Sequence, residues 1–161
     1  EGEVPYTLNP GGPNHEELSS LIGVYEYFEN LYNHHFNEVN ISLRNKIEKI
    51  NELISKYEEQ IANPLLKYIK TRKDIKLIGK TEIVNKNRAP TIAFTVDNKS
   101  SRDVSNHLIN HGIATRNDNF YAWRCLKALG INTDDGVVRT SMVHYNTQDD
   151  VEKLINALKK I

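Results

Sequence analysis

Apolar residues recur every three or four positions through the first 60 or so residues and then fall into short alternating runs. Leu18, Leu21, Ile22, Tyr25, Phe28, Leu31 and Tyr32 form one helical stripe, which predicts an amphipathic helix to about residue 33. Asn14 is placed to cap it, with Glu17 at the third helical position. A second stripe runs through Leu43, Ile47, Ile50, Ile54, Tyr57 and Ile61, with Glu and Lys on the other face, and Pro64 is expected to bend or end that helix.

Beyond residue 70 the period changes. Ile75 to Gly79 and Pro90 to Val96 are rich in β-branched and aromatic residues and read as strands around a turn at Asn85 to Arg88. Ser100 with Asp103 predicts a helix through Val104, Leu108 and Ile109, ended by Gly112. A short strand then begins at Ile113 to Thr115, a helix through Leu126 and Leu129 closes at Gly130, and Val137 to Met142 reads as a strand. Thr147 with Asp150 caps a last helix that turns Val151, Leu154, Ile155 and Leu158 inward. The order β-β-α-β-α-β-α predicts an α+β domain, a small and mostly antiparallel sheet covered by helices on one face, preceded by the long helical pair. The expected division is residues 1–70 and 71–161.

Composition narrows the function classes. The chain has 161 residues, enough for one ordinary domain with a helical appendage. Lys and Arg number 21 against 21 Asp and Glu, so charge balance points to no polyanion, and neither a basic patch nor interleaved aromatics suggests nucleic acid. No apolar run approaches the about 20 residues of a membrane span. The single cysteine, Cys125, can make no internal disulfide, consistent with a reducing compartment. The expectation is a cytoplasmic protein that binds neither membrane nor nucleic acid. The six histidines show no ligand spacing with Cys or carboxylate that would define a metal site.

Several segments, in order along the chain, resemble one family. GVVRTSMVHYNTQDDVEKLINAL, Gly136 to Leu158, is similar to the C-terminal signature of class V aminotransferases and cysteine desulfurases, in which a strand carrying Arg is followed by a YNT turn and the last helix. IKLIGK (Ile75 to Lys80), RAPTIAFTV (Arg88 to Val96) and HLINHGIATR (His107 to Arg116) look like that family's small-domain strands and the step before its active-site loop. PGGPNHEEL, Pro10 to Leu18, resembles the loop that follows the Schiff-base lysine region. The resemblance implies the C-terminal part of a fold-type I, pyridoxal-phosphate (PLP) homodimer acting on an amino acid, a transferase or lyase, with residues 1–70 ending its large domain and 71–161 forming its small domain.

The resemblance also assigns site residues. Arg139 matches the arginine that holds the substrate's α-carboxylate; by pattern alone it is a strand arginine that must find water or an anion, a nearby Asp included. His144, beside the YNT turn, is a further substrate contact or a plain turn residue. Tyr121 stands where desulfurases carry their nucleophilic cysteine, and a phenol cannot carry a persulfide; it is either a hydrogen-bonding group of the site or a ring packed on the sheet. Cys125 is expected to be a small buried hydrophobe. Gly11, Gly12 and Asn14 match the loop that reaches the cofactor phosphate of the neighbouring subunit, with Gly12 in place of the usual threonine, and read alone they are an N-capping turn.

A PLP enzyme needs a lysine for the cofactor and an acidic partner for its ring nitrogen. No His-Lys dipeptide, the family's usual setting for that lysine, occurs here, so the missing groups are expected before Glu1 in a longer parent, and this stretch alone is expected to hold no catalytic residue, bind no cofactor and be inactive. The alternative is a free-standing small-ligand or regulatory α+β module that uses Arg139 as a carboxylate clamp without catalysis.

Overall fold

The structure, a computed structural model, describes residues 11–84 and 86–161. Pro10, which opens the expected phosphate loop, and Asn85, which opens the expected turn, lie outside the described residues. Two compact units divide within a helix: Glu1–Leu53 and Ile54–Ile161.

In the first unit, α1 runs His15–His35 and α2 begins at Leu43, continuing to Thr71. Asn14 caps α1, its side-chain oxygen accepting the Glu17 backbone N–H at 3.1 Å, as the Asn-x-x-Glu pattern predicts. Tyr32 and Ile50 are fully buried there, and Lys46 pairs with Glu29 while Lys49 pairs with Glu38. The apolar stripe of α1 is not buried as its periodicity suggests: Leu18, Leu21 and Ile22 are more than half exposed.

The second unit holds the sheet. Strands β1 (Ile75–Ile78), β2 (Thr91–Val96), β3 (Arg116–Asp118) and β4 (Val137–Ser141) lie in the order β1-β2-β4-β3, every pair antiparallel. Ile113 to Thr115 stays outside the ladder, and the third strand starts three residues later than expected, at Arg116. Alternation sorts the two faces. Ile75, Ile92, Phe94, Val96 and Val138 turn into a core with α2, α3 (Ser101–Asn110) and α5 (Gln148–Leu158), through Ile61, Leu65, Leu66, Ile69, Val104, Leu108, Val151 and Leu154. Lys76, Ala93, Thr95, Arg116 and Arg139 share the opposite face, which stays partly open. The short helix α4 (Trp123–Ala128) links β3 to β4.

Pro64 neither ends α2 nor prevents its last two turns. A proline inside a helix costs about 3 kcal/mol; burying Ile61, Leu65, Leu66 and Ile69, each at most 1% exposed, returns about 1.5–3 kcal/mol apiece, so packing decides the outcome. Asn63 adds a two-way clamp, donating to the Ile83 carbonyl at 3.1 Å and accepting the Ile83 N–H at 3.0 Å. The end of α2 is fixed by Arg72, whose Nε and Nη2 meet both Asp74 oxygens at 2.7 and 2.5 Å while Nη1 donates to the Leu158 carbonyl at 2.9 Å.

Candidate functional site

Arg139 sits in the middle of β4, flanked on both sides by paired strands. Its register partners are Ala93 on β2 and Arg116 on β3, so two arginines stand side by side on the open face with a small residue beyond them. Among the described residues no carboxylate forms an ion pair with either arginine. The one aromatic contact of Arg139 is Phe120, whose ring centre lies 4.1 Å from the guanidinium carbon. A planar cation covered on one face by an aromatic ring still presents the N–H groups along its edges. Such an arrangement can receive a planar anion, a carboxylate first of all.

The loop after β3 is built tightly around that contact. Asp118 Oδ1 accepts the Asn119 N–H at 2.6 Å, Asn119 Oδ1 accepts the Tyr121 N–H at 3.0 Å, and Asn119 Nδ2 donates to the Thr133 carbonyl at 3.3 Å. Gly136, at φ 73°, lies so close beneath the loop that a Cβ there would fall 2.2 Å from the Asp118 carbonyl carbon.

The sequence-predicted residues fare differently. Tyr121 does not pack on the sheet: it is completely exposed, at φ 60°, because the left-handed backbone that lays Phe120 over Arg139 carries the next side chain into solvent. Cys125 is likewise exposed, not a buried hydrophobe, since the buried position of the short α4 is taken by Leu126. His144 is half-buried in the turn after β4, within electrostatic reach of Glu58 on α2. Burial pushes the Glu58 carboxyl above its ordinary range, and His144 partly offsets this. The turn itself is structural: Asn146 accepts the Val143 N–H at 2.9 Å, Tyr57 donates to the Asn146 carbonyl at 2.8 Å, and Thr147 caps α5 in a reciprocal box with Asp150.

Gly11, Gly12 and Asn14 belong to the first unit. The two glycines are exposed with open space where a Cβ would stand, so an anion can approach their backbone. The Asn14 side chain is already engaged as the helix cap, and Glu16 and Glu17 place two carboxylates in the first turn, which complement the helix dipole and oppose a second anion. Among the described residues no group of three or more His, Cys, Asp or Glu could hold a metal ion, and no helix is long and apolar enough to cross a membrane.

Arg116, Phe120, Asn119 and Gly136 were not singled out by sequence reasoning. Arg116 carried a signal, an arginine entering a strand four residues past the helix-ending Gly112; Phe120 carried none, because its placement depends on a left-handed backbone that no glycine announces.

Comparison with known proteins places the chain in a family. A family model for class-V aminotransferases matches residues 5–154. The aminotransferase-like protein FGM3 of Gibberella zeae is 32% identical over 112 residues, covering 68% of this chain and 28% of its own length. A cysteine desulfurase of Escherichia coli is 25% identical over 159 residues, covering 99% of this chain and 33% of its own length. The crystal structure of the cysteine desulfurase CsdA from Escherichia coli superposes with a TM-score of 0.68 at 21% identity, over 97% of this chain and 32% of that one. The chain therefore spans about a third or less of the length of the relatives it matches.

Proposed function

Because this chain belongs to the class-V aminotransferase family, whose members are PLP-dependent, we propose that it is the C-terminal part of a longer PLP enzyme acting on an amino acid, and that Arg139 receives the carboxylate of that substrate. The observation that carries this reading is the Arg139 guanidinium on the open sheet face, without a carboxylate partner among the described residues, its carbon 4.1 Å from the Phe120 ring centre and its strand position registered against Arg116.

Each residue then has a definite task. Arg139 offers two parallel N–H donors, and a carboxylate bound that way is fixed in orientation as well as position. Arg116 adds a second positive charge one strand away, which raises the local potential for an anion. The Gly11 and Gly12 backbone fits the phosphate end of the cofactor, held by N–H groups and not by the Asn14 side chain, with Glu16 and Glu17 weakening the hold. PLP, when bound, supplies an electron sink for charge that develops on the substrate. The lysine and acidic group that complete that chemistry belong to other parts of the parent, so this stretch alone is inactive. Tyr121, His144 and Cys125 take no chemical step: Tyr121 replaces the thiol that desulfurases use on this loop, so the proposed activity is one that needs no persulfide there.

In this reading residues 1–70 close a large domain and 71–161 form the small domain, and the parent works as a homodimer in the cytoplasm. The test is to express the longer polypeptide with the cofactor present. A yellow protein whose visible absorbance changes on adding an amino acid supports the proposal; a longer polypeptide that takes up no PLP refutes it.

A further inference from the structure

Phe120 and Tyr121 are consecutive non-glycine residues in the left-handed region, at φ 52° and 60°, a conformation that aromatic side chains adopt only when their surroundings impose it. The surroundings here do so: Asn119 is held at both ends of its amide, by the Tyr121 N–H and the Thr133 carbonyl, and Gly136 lets the loop backbone come within a distance no other residue permits. The outcome is asymmetric. Tyr121 is completely exposed, while the half-buried Phe120 ring lies 4.1 Å from the Arg139 guanidinium carbon.

We propose that Phe120 is a positioning residue for Arg139, and that through it the site selects ligands bearing a carboxylate. This rests on the reading of Arg139 as the carboxylate receptor. An arginine on an open sheet face has a long side chain with many rotamers, and ordering it on binding weakens affinity. The Phe120 ring removes much of that freedom beforehand. It lies against the weakly hydrated guanidinium, 4.1 Å from its carbon, and as a π surface it takes none of the N–H hydrogen bonds that a carboxylate needs. Phe120 also occupies the space through which a flat aromatic ligand would stack on the same face, so binding through the edges is favoured over stacking. Among the described residues no carboxylate pairs with Arg139 to do the same work, and Arg116 beside it repels rather than holds it.

The experiment has two arms. In this 161-residue chain, the Arg139 Nε–H resonance is expected to be displaced by the ring current, with the displacement lost in Phe120→Leu and kept in Phe120→Trp. In the cofactor-loaded parent, L-alanine and ethylamine serve as probes that differ in the carboxylate. Phe120→Leu is expected to weaken L-alanine about three- to thirtyfold while leaving ethylamine unchanged, and Phe120→Trp to restore the wild-type affinity. An undisplaced Arg139 resonance in the wild type overturns the proposal whatever the probes do. So does a Phe120→Leu protein that binds L-alanine normally, or one that loses both probes equally. If Arg139→Lys weakens L-alanine while Phe120→Leu does not, only the role of Phe120 fails; if Arg139→Lys changes nothing, the reading of Arg139 fails with it. Where the wild type takes up neither probe, the resonance arm decides.

Discussion

Gly136 shows how much a single position can constrain the site. With φ 73° and a Cβ position 2.2 Å from the Asp118 carbonyl carbon, an alanine there must displace the loop that carries Phe120. Gly136→Ala is expected to lower stability by roughly 3 kcal/mol or more, read by denaturant unfolding, and to move the Phe120 ring off Arg139. Glu58 makes a quieter prediction. Its folded-state pKa is raised by burial, so its favourable contribution is complete below the unfolded value of about 4.3 and is lost as pH rises through the folded one. At neutral pH the ionised carboxylate is therefore a burden. Glu58→Gln should raise Tm by about 1–3 °C at pH 7 and leave it unchanged near pH 4; equal effects at both values would contradict the assignment. Arg139 drew attention in the sequence because an arginine among Val137, Val138, Thr140 and Met142 needs an explanation, and the role proposed for it came from the family resemblance. Its aromatic partner was not legible, since the turn Asn117-Asp118-Asn119-Phe120-Tyr121 contains no glycine to mark the left-handed backbone, and the exposure of Tyr121 follows from the same unseen geometry.

At the scale of elements, local hydrogen-bonding chemistry was the most readable part of the chain. The caps at Asn14, Ser100 and Thr147 stand where Ser, Thr or Asn precedes an acidic residue by three. That Pro64 does not end α2 has a physical reason: propensity acts locally, while Ile61, Leu65, Leu66 and Ile69 gain their stability from strands that are distant in sequence. The C-terminal cap provides a pH test. Asp150 is held below its usual range, chiefly by the Thr147 backbone N–H, which it accepts at 2.9 Å. A depressed folded pKa contributes stability above the unfolded value of about 3.9 and loses it as pH falls through the folded value. Asp150→Asn should therefore lower Tm at pH 7, and the gap to the wild type should close in acid below about pH 3.9; a gap that persists at pH 2 would contradict the cap's electrostatic part.

On the scale of the whole molecule, a small antiparallel sheet with covering helices followed from the change of hydrophobic period near residue 70, because alternation specifies which side of a strand is buried; the strand order β1-β2-β4-β3 did not. The exposed stripe of Leu18, Leu21 and Ile22 on α1 did not follow, since periodicity reports that a face is apolar and not what covers it. In the proposed function that cover is the rest of the longer enzyme, since this chain spans about a third or less of the length of its relatives. The central claim is that Arg139 is the carboxylate receptor, and the most direct test is amino-acid affinity of the cofactor-loaded parent with Arg139→Lys. Lysine keeps the charge and removes the fork, so L-alanine should bind about tenfold more weakly or worse while the visible absorbance of the resting protein is unaltered. An Arg139→Lys protein that binds L-alanine as the wild type does would show that the carboxylate is received elsewhere.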